Sequence, residues 1–296
     1  MNGLVDYAGL FPPANQGMRE AVESYASYLL TGDRPALGRF IVPLARLAEF
    51  QAATLDMLPR GPEAEPWRLS VLIGDDFSGA SDLISNFNRE HGPESEEGQA
   101  TIDAVELKAA TPDEINRKHA QLPRGATIYF EIPLASDIAS LVDAIAAASA
   151  RAKIRTGGIT TDAFPSPERV LDFLVACARK RVPFKATAGL HHPVRGAYSL
   201  TYEARSARGT MFGFLNVFVA AALLFRGENI TLAREVLEES DAATFRISEH
   251  TIEWRGIKLS ADELRNIRSE FAISFGSCSF REPVDELREL MTEVHA

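Results

Sequence analysis

Eight short apolar runs recur along this chain of 296 residues, and most of them lead into a segment with helical spacing. They fall at 4–7, 39–42, 67–74, 104–110, 126–134, 152–158, 183–189 and 271–280. Strands that alternate with helices predict a parallel sheet, because parallel neighbours need a crossover long enough to hold a helix. Eight such units predict an α/β fold, an eight-stranded (β/α)8 TIM barrel. The length suits one domain over 1–296, with a helix and hairpin inserted at about 227–258, before the last strand. An open dinucleotide-binding sheet would need G-x-G-x-x-G in its first turn; here that turn reads AGLFPP, and no Walker A sequence occurs.

Residues two apart on a strand face the same side. Glu106 and Lys108 therefore share a face of the fourth strand, Tyr129 and Glu131 of the fifth, Lys153 and Arg155 of the sixth, and Lys185 and Thr187 of the seventh. The other phase is apolar throughout: Val105 and Leu107, Ile128 and Phe130, Ala152 and Ile154, Phe184 and Ala186. The apolar phase belongs against the helices, so the charged phase points into the barrel. Branched apolar side chains normally fill that space. Here four consecutive strands send in six charges, four basic and two acidic. Buried charge is costly unless it is paired or faces a wet cavity. An ion-pair network and an active site both satisfy that condition.

The chemistry open to such a set centres on its lysines. An amine held among cations and partly desolvated gives up its proton more easily and attacks a carbonyl to form a Schiff base. Lys153 and Lys185 are the candidates, with Glu131 or Glu106 to move protons or orient an amine. His191 and His192 follow the seventh strand and suit a general acid or base, His191 first. Arg155 and Lys108 would hold an anionic group. Asp6, at the end of the first strand, is a candidate orienter. Turns at Thr156-Gly157-Gly158, Thr187-Ala188-Gly189 and Gly276-Ser277-Cys278-Ser279 could offer backbone amides to a phosphate or carboxylate, or could be simple tight turns. Cys278 has no partner histidine set by spacing and is placed behind the site. Arg39 is expected lower in the barrel, and Asn216, alone in an apolar helix, in a buried hydrogen bond.

No resident cofactor is expected. Asp6, Asp75, Asp76, Glu106 and Glu131 could join the histidines around a metal, with Mg²⁺ favoured over Zn²⁺ for oxygen ligands. No H-x-H or H-E-x-x-H spacing supports this. The net charge of −10 argues against a nucleic-acid partner, which would want a basic stripe. A local basic pocket inside an acidic shell suits a small anionic or carbonyl-bearing molecule. The longest apolar run, 212–225, has 14 residues and is too short to span a bilayer, so no membrane association is expected. No long apolar run follows Met1, and Cys177 and Cys278 form no CxxC pair; both facts suit a cytoplasmic protein with reduced thiols. The apolar helix and the insertion are candidates for a contact in a homo-oligomer.

Between Ala152 and His192 the chain reads KIRTGG, a helix, then KATAGLHH. This stretch resembles the deoxyribose-phosphate aldolase group of class I aldolases, which are α/β barrels. The family carries a Schiff-base lysine on strand six in a Lys-x-Ser/Thr-x-Thr-Gly context and a second lysine on strand seven before Gly-Gly. The resemblance implies that Lys153 carries the imine and Lys185 tunes it. Arg155 stands where the family has a small hydroxyl residue, Ala188-Gly189 replaces Gly-Gly, and Glu106 with Lys108 replaces an aspartate. The expected function is a lyase of aldolase type. One alternative is an isomerase, decarboxylase or metal-assisted lyase that uses the cationic pocket electrostatically. Another is a non-catalytic barrel for binding or assembly, in which the interior charges would pair off and leave no cavity.

Overall fold

Eight parallel strands close on themselves in a computed structural model that describes residues 3–75 and 78–293. Seven come in chain order: β1 (Val5–Tyr7), β2 (Leu37–Pro43), β3 (Trp67–Leu72), β4 (Ala100–Lys108), β5 (Thr127–Glu131), β6 (Arg151–Arg155) and β7 (Phe184–Thr187). A hairpin of β8 (Gly196–Ser199) and β9 (Arg208–Met211) follows. Next comes an antiparallel sheet of β10 (Phe245–Ile247), β11 (Thr251–Trp254) and β12 (Ile257–Ser260). The eighth barrel strand, β13 (Ala272–Ser277), then pairs with both β7 and β1 and closes the ring. The fold is the expected (β/α)8 TIM barrel.

The helices are α1 (Met18–Leu29), α2 (Leu47–Thr54), α3 (Ala80–Glu90), α4 (Pro112–His119), α5 (Ile138–Ala147) and α6 (Pro167–Lys180). After the hairpin come α7 (Phe214–Phe225), α8 (Ile230–Glu238), α9 (Ala261–Glu270) and α10 (Arg281–Glu293). Their starts follow local chemistry. Thr111 caps α4 by accepting from Glu114 N, while the Glu114 carboxylate accepts from Ala110 N, so the reciprocal half of the expected capping box is shifted by one residue. Ser260 and Glu263 make the full box at α9.

Strand phase sorts the barrel as expected. Val105, Phe130, Ile154 and Ala186 are fully buried against the helices. Each large side chain of this kind contributes about 1.5–3 kcal/mol when removed from water. The apolar helix α7 finds its partners within the chain: Phe214 stacks on Phe275 and Phe225 on Phe271, both beside β13. Asn216 is fully buried; its amide donates to Val236 O and Glu239 O, and its oxygen accepts from Arg195 N. The hairpin expected at 244–256 is the three-stranded sheet β10–β12, because the chain pairs once more before Ser260 starts α9. The β8–β9 hairpin lies where the sequence suggests only a loop. No helix among the described residues is long and apolar enough to cross a membrane.

Candidate active site

The inward phase of the strands builds a ladder of charge across the barrel. Lys185, on β7, donates to Asp6 Oδ2 of β1 at 2.5 Å and to Glu106 Oε1 of β4 at 2.6 Å. Lys153, its register neighbour on β6, lies 2.7 Å from Glu106 Oε2 and 2.9 Å from Glu131 Oε2 of β5. Arg155 completes the row, 3.5 Å from Glu131. Hydroxyls and a backbone amide fill the remaining positions: Ser70 donates to Glu106, and Ser274 and the Arg39 N–H donate to Asp6. The Tyr129 ring lies 5.4 Å from Lys185 Nζ. Arg39 sits lower, as expected, paired with Asp103, which also binds Arg68. Asp103 is skipped in the β3–β4 pairing, and this irregularity lets Asp103 and Glu106 both meet interior cations although they have opposite phase.

Burial alone would raise the carboxyl pKa values, but the ammonium and guanidinium groups outweigh it. Asp6 is held below its ordinary range by Lys185 and Arg39, Glu106 well below by Lys153 and Lys185, and Glu131 by Lys153 and Arg155. For Lys185 burial acts downward, yet Asp6 and Glu106 prevail and push it above the ordinary lysine value. Lys185 is therefore a fixed ammonium. The expectation that a neighbouring cation would ease the proton off Lys185 fails, because Asp6 and Glu106 hold its ammonium. Lys153 is held differently. Glu106 Oε2 accepts no well-directed hydrogen bond, so its 2.7 Å contact with Lys153 is an ion pair without good angles.

A cavity of about 330 Å³ opens above the ladder at the carboxyl ends of the strands. Its floor includes Glu106, Lys153 and Arg155; its walls include Gly157, Gly158, Gly189, Gly276 and His191. Phe11, Pro12, Leu200 and Met211, from the first loop and the β8–β9 hairpin, supply apolar cover. Asp6 and Lys185 lie buried below this surface, and Glu131 flanks Lys153. Three expected members fall elsewhere. Lys108 is the last residue of β4 and is exposed, and Arg155, the last of β6, is exposed at the mouth, so the interior holds Asp6, Glu106 and Glu131 against Lys153 and Lys185. His192 turns away to pair with Glu286 and stack on Tyr198. Ser277 is buried, its hydroxyl accepting from Ser279 N. The glycines at 157 and 189 also have a packing reason: a Cβ at Gly157 would sit 2.4 Å from the Phe164 ring, and one at Gly189 would sit 2.9 Å from it.

The feature sequence spacing did not reveal lies on the cavity wall. Cys278 Sγ is 4.0 Å from His191 Nε2, and His191 Nδ1 is 2.9 Å from Glu282 Oε2. Tyr202 donates to the same carboxylate oxygen at 3.1 Å. Burial acts to lower the His191 pKa, but Cys278 and Glu282 together push it up to about 10. The signal was available in topology: His191 follows β7 and Cys278 follows β13, and these strands are barrel neighbours.

The proposed metal carboxylates Asp6, Glu106 and Glu131 are engaged by ammonium groups. Asp75 is exposed, and Asp76 lies outside the described residues. Among the described residues the set that could hold a metal is His192, Glu282 and Glu286, whose ligand atoms lie within 4.8 Å of one another. Comparison with family models, curated proteins and solved structures finds no match for this chain.

Proposed function

We propose that this protein is a lyase of the aldolase type, acting through an imine between Lys153 and a small carbonyl compound that bears a carboxylate or phosphate. The observation that carries this reading is the position of Lys153. Its amine lies on the cavity floor with a carboxylate on two sides, while Lys185 is locked beneath. A lysine ammonium must lose a proton before it attacks a carbonyl, and Glu131 Oε2 at 2.9 Å is placed to take it. The same carboxyl can return the proton to the carbinolamine hydroxyl, which leaves as water. The resulting iminium draws electrons from the adjacent carbon bond, and Glu106 and Glu131 offset its charge. Lys185 keeps Glu106 ionised and in place. Arg155, half-exposed at the cavity edge, supplies a fork for an anionic substituent.

The resemblance to the deoxyribose-phosphate aldolase group supports the same assignment, with lysines at paired positions of neighbouring strands. The assembly-protein alternative required a sealed interior, and an open cavity of about 330 Å³ weighs against it. The test is exchange of carbon-bound hydrogen for deuterium beside the carbonyl, followed by NMR over a panel of small aldehydes, ketones and 2-oxo acids. Exchange that Lys153→Met abolishes is expected. Absence of exchange across the panel in the folded protein would contradict the proposal.

A further inference from the structure

We propose that Cys278 is a second nucleophile of this cavity, paired with His191 and oriented through Glu282, which captures an aldehyde carbon as a hemithioacetal. The inference does not depend on the imine chemistry of Lys153. A nucleophile, a base within reach and a third group orienting the base form the arrangement that activates a thiol. Here it comprises Sγ to Nε2 at 4.0 Å and Nδ1 to the Glu282 carboxylate at 2.9 Å. Tyr202 contributes a hydroxyl 3.7 Å from the sulfur and donates to Glu282, which fixes the carboxylate on the imidazole. Cys278 and His191 both line the cavity that holds Lys153 and Arg155. The other cysteine, Cys177, is fully buried in α6 among apolar side chains, and burial pushes its thiol far up. Cys177 thus serves as a buried reference thiol beside Cys278.

The step balances within the site. Proton transfer from sulfur to His191 Nε2 leaves a thiolate and an imidazolium. The sulfur lone pair forms a bond to the carbonyl carbon, the C=O π pair moves to oxygen, and Nε2–H protonates that oxygen. No oxidant or leaving group is needed, which favours reversible capture of an aldehyde over acyl transfer. The expected substrate class is a small aldehyde with an anionic substituent that Arg155 reaches.

Iodoacetamide labelling at neutral pH, read by peptide mass spectrometry with glyoxylate as competitor, tests this. In the wild-type protein Cys278 is expected to label and Cys177 to stay unlabelled. His191→Asn and Glu282→Gln are each expected to slow Cys278 labelling by about tenfold, since one removes the base beside the sulfur and the other the carboxylate that orients it. Cys177 reports the fold in every sample; a variant that exposes it is unfolded, and the other variant then decides. Glyoxylate should protect Cys278 equally in the wild type and in Lys153→Met. Labelling at the wild-type rate in the folded variants, or no protection in Lys153→Met, would overturn the proposal. Protection of Cys278 alongside no borohydride adduct on Lys153 in the wild type would sink the Lys153 reading and leave this one standing.

Discussion

Glu106 is the residue both lysines share, and its energetics set the behaviour of the ladder. Glu106→Gln would leave two buried ammonium groups with one carboxylate fewer between them. Removing one partner of a buried pair costs about 3–5 kcal/mol. Glu131→Gln should cost less, since Lys153 keeps Glu106 and Arg155 is half-exposed. Urea unfolding of the two variants decides, and equal losses would contradict the ladder's order. The pH dependence follows from the same contacts. Asp6, Glu106 and Glu131 are held below their ordinary values of 3.8 and 4.5. Depressed carboxyl values give stability that is complete above those ordinary values and is lost as pH falls through the folded ones. Unfolding free energy should therefore decline from about pH 4.5 downward, and Asp6→Asn should flatten the decline; a wild-type stability flat across that acid range would refute it. Strand phase made Glu106, Glu131, Lys153 and Lys185 readable as interior residues. It could not place Lys108, because phase does not show where a strand leaves the barrel. Nor could it fix the depth of Asp6 on β1, which is three residues long and too short to display alternation.

Loops make the cavity out of the barrel mouth. The β6–α6 connection folds back so that Phe164 covers Gly157 and Gly189, the latter at a φ of +72°. A side chain there is strained by its backbone and by Phe164 together. Gly189→Ala is expected to lose about 1–2 kcal/mol from the left-handed backbone alone, seen as a lower urea midpoint; an unchanged midpoint would count against this packing. The glycines were visible in the sequence, whereas the ring that needs them lies several residues away in an irregular loop. Asn216 shows the opposite case. A lone amide in an apolar helix reads directly as a buried hydrogen bond, and it in fact holds α7, α8 and the loop before β8 together. Asn216→Ala removes three hydrogen bonds and strands Arg195 N and Glu239 O, while Val236 O keeps Glu239 N, and should cost about 2–3 kcal/mol. Calorimetry showing an unaltered transition would contradict that role. The β8–β9 hairpin escaped because its strands are four residues long and half-exposed, without a periodic pattern.

At the scale of the whole molecule the strand–helix rhythm sufficed for the barrel, since eight parallel strands that must cover both faces have few other ways to close. The inward charges Glu106, Glu131 and Lys153 lie on β4 to β6, toward the end at which the cavity opens, while Lys185 sits deeper. What it could not supply was adjacency across the closure. Cys278 and His191 are 87 residues apart and meet only because β13 inserts between β7 and β1. The same closure brings Asp6 to Lys185 across 179 residues. An acidic chain of net charge −10 thus keeps Lys153, Arg155 and His191 around one small opening. Reduction with borohydride in the presence of small aldehydes and 2-oxo acids, with peptide mapping, tests the central claim most directly. A covalent adduct on Lys153, absent from Lys153→Met and not transferred to Lys185, is the predicted result. An adduct on Lys185, or none on any lysine across the panel, would contradict it.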